Sequence, residues 1–152
     1  MTEDAGARAD AVRALESQFG ELIGQFRRLI SDAAHRISPG MLPGAYKVFT
    51  TIVRRDSITS SALAEVLMLD KGQISRTVRE LEALGLIQRT PDPADGRSSL
   101  LSATPEGLER LAAARLPHER GLHESLAEWE LDDIHRLTTL LHALVSGTRP
   151  TA

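Results

Sequence analysis

The apolar positions set the first expectation. Val12, Leu15, Phe19, Leu22, Phe26, Leu29 and Ala33 alternate at steps of three and four, the seam of a helix that packs lengthwise on another helix. Ile23, Ile30 and Ile37 widen the stripe, and Ser38-Pro39-Gly40 ends it. Two partners fit such a seam: the chain's own helices, or a second copy of the chain. Its length favours the second copy. Pro43 suits the first position of a second helix, where a missing N–H costs nothing. Ala45, Val48, Phe49, Ile52 and Val53 then recur at helical spacing until Arg54-Arg55-Asp56-Ser57.

Thr59 predicts the N-cap of a short third helix with Leu63, Ala64, Val66 and Leu67 on its apolar face. Met68-Leu69-Asp70 forms the turn. Asp70, with Gln73 three residues on, has the capping-box pattern of a fourth helix. Ile74, Val78, Leu81 and Leu84 give that helix a buried stripe, and Gly85 stands where a helix end takes a left-handed residue. The period then changes. Leu86-Ile87-Gln88-Arg89 reads as a short strand, Pro91 to Arg97 as a long polar turn, and Ser98 to Ser102 as the returning strand. Thr104-Pro105-Glu106 opens another helix, with Leu108, Leu111, Ala112 and Leu116 on one side. Pro117 is expected to kink or interrupt it. Helical periodicity resumes at Leu122 and Leu126, Trp129 reads as a packing anchor, and a last helix carries Ile134, Leu137, Leu141, Leu144 and Val145 up to Gly147. Residues 1–7 and 148–152 are expected to fray. The fold class is therefore mainly α with a small β-hairpin wing: two short helices and a hairpin form a winged helix-turn-helix, with long helices on either side.

Composition narrows the function classes. The 152 residues, 41% hydrophobic and 26% charged, suit one globular domain. No apolar run approaches the ~18–20 residues of a membrane helix, and the acidic opening Met1-Thr2-Glu3-Asp4 does not resemble a secretory signal. A cytoplasmic location without a membrane partner is expected. With no cysteine, disulfides, thiol catalysis and thiolate metal sites are excluded. The net charge of −3 argues against a bulk polybasic nucleic-acid binder. The charge is uneven, however. Lys47, Arg54 and Arg55 outweigh Asp56 in the second helix, whereas acids outnumber arginines after residue 103. Local arginines still hold phosphate, because attraction acts within about one Debye length, ~8–10 Å.

At ~100° per residue, Gly72, Arg76 and Arg79 point away from the buried stripe of the fourth helix, flanked by Gln73 and Ser75. Such a helix fits a major groove about 12 Å wide, where Arg reads guanine and Gln reads adenine. On the wheel alone an ordinary solvated face is favoured over DNA reading, because solvated faces usually carry such residues.

Residues 42–108 resemble the MarR family of winged helix-turn-helix transcriptional regulators. The resemblance rests on Ser61-Ala62-Leu63-Ala64-Glu65, the stretch from Asp70 to Glu82, Leu84-Gly85-Leu86-Ile87-Gln88-Arg89, Asp92-Pro93-Ala94-Asp95-Gly96-Arg97 and Thr104-Pro105-Glu106-Gly107, in the family's order and spacing. It implies a single MarR-type domain over residues 1–152, with dimerisation helices at 8–40 and 105–147 and a DNA-binding lobe at 42–103. It also implies a homodimeric repressor on a palindromic operator of double-stranded DNA, often released by a small ligand. Carried onto this chain, Lys71, Gln73, Ser75 and Arg76 are the expected base and phosphate contacts, with Gly72 and Arg79 on the same face. Ser60 and Ser61 are expected phosphate donors. Arg97 of the wing is expected in or beside the minor groove, held by Asp95 through a charge-assisted pair. An anionic aromatic effector is expected near Phe26, Ile30, His35, Arg36, Met41, Tyr46 and Phe49.

The chain departs from the family pattern at Leu42, often a capping threonine; at Met68, where glycine is common; at Gly72, often Ser or Thr; at Glu80, often basic; and at Gly96, where a second wing arginine is missing. These departures and the negative charge motivate the rival reading, a ligand- or protein-interaction module on the same fold that does not bind DNA. Other chemistry finds little support. His35, His118, His123, His135 and His142 do not cluster as metal ligands do. Ser57, Ser60, Ser61 and Ser75 have no His and acid nearby in sequence, and no glycine-rich phosphate loop occurs. No catalysis, metal or cofactor is expected.

Overall fold

The computed structural model describes residues 2–150. Its elements are α1 (Thr2–Ile37), α2 (Pro43–Arg55), β1 (Ile58–Thr59), α3 (Ser60–Leu67), α4 (Lys71–Ala83), β2 (Ile87–Asp92), β3 (Asp95–Ala103), α5 (Pro105–Leu126) and α6 (Leu131–Ser146). The chain divides into two compact units, Met1–Arg115 and Leu116–Ala152. Among the described residues, no helix is long and apolar enough to cross a membrane.

The first unit holds the core. Ala33, Ala34 and Ile37 at the end of α1 join Val48, Phe49 and Ile52 of α2, Leu63 and Leu67 of α3, and Ile74, Val78 and Leu81 of α4. Ile58, Ile87 and Leu101 close it from the sheet, and Leu111 and Ala114 from α5. Each fully buried Leu or Ile contributes ~1.5–3 kcal/mol, so the Ile74-Val78-Leu81 stripe fixes which side of α4 faces outward. The sheet is antiparallel, in the order β1-β3-β2.

Local chemistry sets the boundaries. Pro43 starts α2 and Thr59 Oγ1 accepts the Ala62 N–H at 3.2 Å to cap α3. α4 ends in a Schellman motif: Gly85 adopts φ 72°, its N–H reaches Glu82 O at 2.9 Å, and the Leu86 N–H reaches Leu81 O at 3.0 Å. Gly147 ends α6 in the same left-handed region.

Four expectations are corrected. The long polar turn of the wing is a two-residue connection, Pro93-Ala94, because the strands run on to Asp92 and from Asp95. The Asp92 side chain satisfies the turn amide of Ala94 and the Asp95 side chain the amide of Arg97 at the start of β3 (below), and Pro91 is tolerated because β2 is an edge strand. A third strand, β1, pairs Ile58 with Leu101 and Thr59 with Leu100; two residues are too few for any period to reveal. Pro117 does not interrupt α5, which is helical from Pro105 to Leu126: one lost backbone bond is outweighed by the turns on both sides. α1 begins at Thr2 rather than near residue 8, since Ala5, Ala7, Arg8 and Ala9 are strong helix formers. Residues 151–152, expected to fray, lie outside the described residues.

Candidate nucleic-acid interface

α4 is presented by its cap and its core stripe. Asp70 is extended (φ −68°, ψ 151°), and its Oδ1 accepts the Gln73 N–H at 2.8 Å. With Ile74, Val78 and Leu81 fully buried, Lys71, Gly72, Gln73, Arg76 and Arg79 are all exposed and Ser75 partly so. A Cβ on Gly72 would lie 3.1 Å from Asp70 Oδ1, so the glycine leaves room for the cap carboxylate as well as for an approaching backbone. Ser60 is half-buried and Ser61 exposed in the first turn of α3. Between these two helices Met68 is left-handed (φ 53°) and 90% exposed.

The wing hairpin is locked by carboxylates. Asp92 Oδ1 accepts the Ala94 N–H at 2.9 Å and Oδ2 accepts the Ser98 hydroxyl at 2.9 Å. The Ala94 amide and then the Ser98 hydroxyl hold the Asp92 carboxyl below its ordinary value of 3.8. Asp95 does not act as expected. Its Oδ1 accepts the backbone N–H of Arg97 at 3.0 Å, and among the described residues no ion pair ties Asp95 to the Arg97 guanidinium. The carboxylate shapes the start of β3, and Arg97 is exposed.

One partnership has no counterpart in the sequence reading. Arg89 Nε on β2 meets Glu82 Oε1 on α4 at 2.8 Å. Seven residues apart across a turn, the two match no helical or strand spacing.

Several of the expected effector residues line depressions on the described surface. His35, Arg36 and Met41 line a depression of about 500 Å³ with Ser31 and Asp32. Ile30 and Tyr46 line a separate one of about 510 Å³, between α1 and α2, with Arg27 and Lys47. Phe49 is fully buried in the core, and Phe26 lines neither depression. Trp129, expected to anchor packing, is 48% exposed. Among the described residues no group of three His, Cys, Asp or Glu could hold a metal ion.

A MarR family model matches residues 40–98, from the connection before α2 into the wing. The multiple antibiotic resistance protein MarR of Salmonella typhimurium is 30% identical over 101 residues, 66% of this chain and 70% of that protein. The chain belongs to the MarR family. A putative transcriptional regulatory protein for the hcr operon of Thauera aromatica is 35% identical over 88 residues, 58% of this chain. The chain spans about half the length of that relative, 50%. Among solved structures, a mutant of Escherichia coli MarR complexed with operator DNA has a TM-score of 0.57 at 25% identity, covering 84% of this chain and 91% of that one. The fold is thus a MarR winged helix-turn-helix. The MarR match encloses α4, the Asp92 lock and Arg97, so the departures at Met68, Gly72, Glu80 and Gly96 are sequence changes within an intact frame.

Proposed function

We propose that this chain is a sequence-specific, DNA-binding transcriptional regulator that acts as a homodimeric repressor on a palindromic operator. The observation that carries the reading is the division of α4: one face buried by Ile74, Val78 and Leu81, the other exposing Lys71, Gln73, Arg76 and Arg79. Arg76 and Gln73 read base edges, and Lys71, Arg79, Ser60, Ser61 and Ser75 engage phosphates or neighbouring edges. Arg97 follows the wing into or beside the minor groove, with Asp95 shaping the turn. The operator complex of the E. coli relative supports the choice of ligand.

Self-association accounts for apolar surface that this chain leaves open. Val12, Leu15, Leu22 and Ile23 of α1 are exposed, as are Leu137, Leu140, Leu141 and Leu144 of α6. A second copy covering these helices, as a single domain over residues 1–152, brings two α4 helices to successive major grooves ~34 Å apart. A small anionic aromatic effector fits the depression between α1 and α2, where Arg27 and Lys47 supply charge and Ile30, Pro43 and Tyr46 supply apolar and phenolic surface. The protein works in the cytoplasm without catalysis, cofactor or membrane partner.

The test is selection of bound fragments from genomic DNA, followed by gel shift on the best fragment and on the region upstream of the protein's own gene. Specific retention, weakening steeply with salt, is expected. A protein that retains no fragment above random duplex is instead the interaction module without DNA binding.

A further inference from the structure

The C-terminal end of α4 is joined to the first turn of α5 with no slack. The Thr104 hydroxyl donates to Gly85 O at 2.5 Å and accepts the Gly107 N–H at 2.9 Å. The Thr104 N–H donates to Leu86 O at 3.0 Å. Leu86 therefore has both backbone groups committed, its N–H to Leu81 within α4 and its oxygen to Thr104. Gly107 is buried directly against this segment. A Cβ there would overlap the Leu86 carbonyl, whose carbon would be 2.9 Å away. Every other L-residue would push the two helix ends apart.

A cap alone needs one of these bonds, the one from Gly107 to Thr104. The bond from Thr104 to Gly85 and the bare Gly107 do nothing for α5 as a helix; they fix α4 against it. α5 is the element that runs on from the first compact unit into the second. We propose that Thr104 and Gly107 are positioning residues that fix the direction of the DNA-reading helix relative to α5. The inference rests on the reading of α4 as the DNA-reading helix. It assigns operator spacing, as distinct from base choice, to a joint that touches no DNA. A rigid joint makes each reading helix arrive at one separation from its partner, and a loose one tolerates several.

The discriminating variant is Thr104→Asp. It keeps an N-cap acceptor for Gly107 but, ionised, has no donor for Gly85. Thr104→Ser keeps both. Binding is measured by anisotropy on the best genomic duplex and on versions with one base pair inserted or removed between half-sites. Thr104→Asp is expected to bind the best duplex roughly three- to ten-fold more weakly, the size of one lost hydrogen bond acting on the competent population. Its penalty for altered spacing is expected to shrink, while its salt slope stays that of the parent. Thr104→Ser is expected to match the parent in both respects. Gly107→Ala reads the same joint from the other side and is expected to relax spacing too. Parent-like affinity and spacing discrimination in Thr104→Asp, with only the melting temperature lowered, would overturn the positioning role. A parent protein that binds no duplex overturns the regulator reading itself, a separate result.

Discussion

Arg89 on β2 and Glu82 on α4 form an ion pair, Nε to Oε1 at 2.8 Å, that ties the base of the wing to α4. Both side chains are about one-third exposed (37% and 29%), so solvent screens the attraction. Glu82→Gln is expected to lower stability by no more than ~1 kcal/mol. Urea melts with and without 0.5 M salt check this: the difference from the parent should fade in salt, with the slope of the transition unchanged.

Arg76 and Arg97 should fail differently. On the proposed reading of α4, Arg76→Ala is expected to cost ~1–3 kcal/mol on the best duplex while relaxing preference at one position. Arg97→Ala is expected to weaken all duplexes more evenly and to flatten the salt dependence by about one counterion. Titrations at several salt concentrations separate the two, and an unchanged slope in Arg97→Ala removes the wing from the interface.

The Asp92 lock gives the wing a response to acid. The folded carboxyl titrates below its ordinary value of 3.8, so its stabilising bonds are fully present above that value. They are lost as pH falls through the lower, folded value. The Ala94 and Ser98 signals in NMR spectra should therefore hold steady down to the ordinary carboxylate range and move only below it. Asp92→Asn should abolish that acid-dependent step.

Met68 pays for a left-handed backbone with a side chain that packs against almost nothing, 90% exposed at φ 53°. Met68→Gly is expected to raise stability by ~0.5–1 kcal/mol, the relieved strain exceeding the added freedom of the unfolded chain. Thermal melts measure it; a loss of stability would mean that the thioether makes contacts worth more than the strain.

The α1 seam should be needed for self-association. Leu15→Glu places a charge among the exposed apolar residues Val12, Leu22 and Ile23. It is expected to shift sedimentation from dimer to monomer. A variant that sediments as the parent does would place the interface elsewhere.

Helix caps and the core stripe were legible from residue order, because each is a local rule. Asp70 with Gln73, Thr59, Gly85 and Thr104 all sit where hydrogen-bonding chemistry requires them. The exposed face of α4 followed from the period of Ile74, Val78 and Leu81. What escaped depends on contacts between distant residues. β1 exists only because β3 returns beside it. The Glu82–Arg89 pair joins a helix to a strand across a turn. Asp95 was matched to the guanidinium two residues on, yet the nearer backbone amide of Arg97 takes its oxygen. Of the expected effector residues, His35 and Arg36 line one hollow, Ile30 and Tyr46 line another, and Phe49 lies in the core, a position set by packing between α1 and α2 that residue order does not display.

Pro91 lies opposite Ser99 in the outermost strand of the sheet. Lacking an N–H, it interrupts the row of donors that a foreign strand would use as a template. The open edge of the hairpin is thereby shielded from zipping onto strands of neighbouring molecules at high concentration.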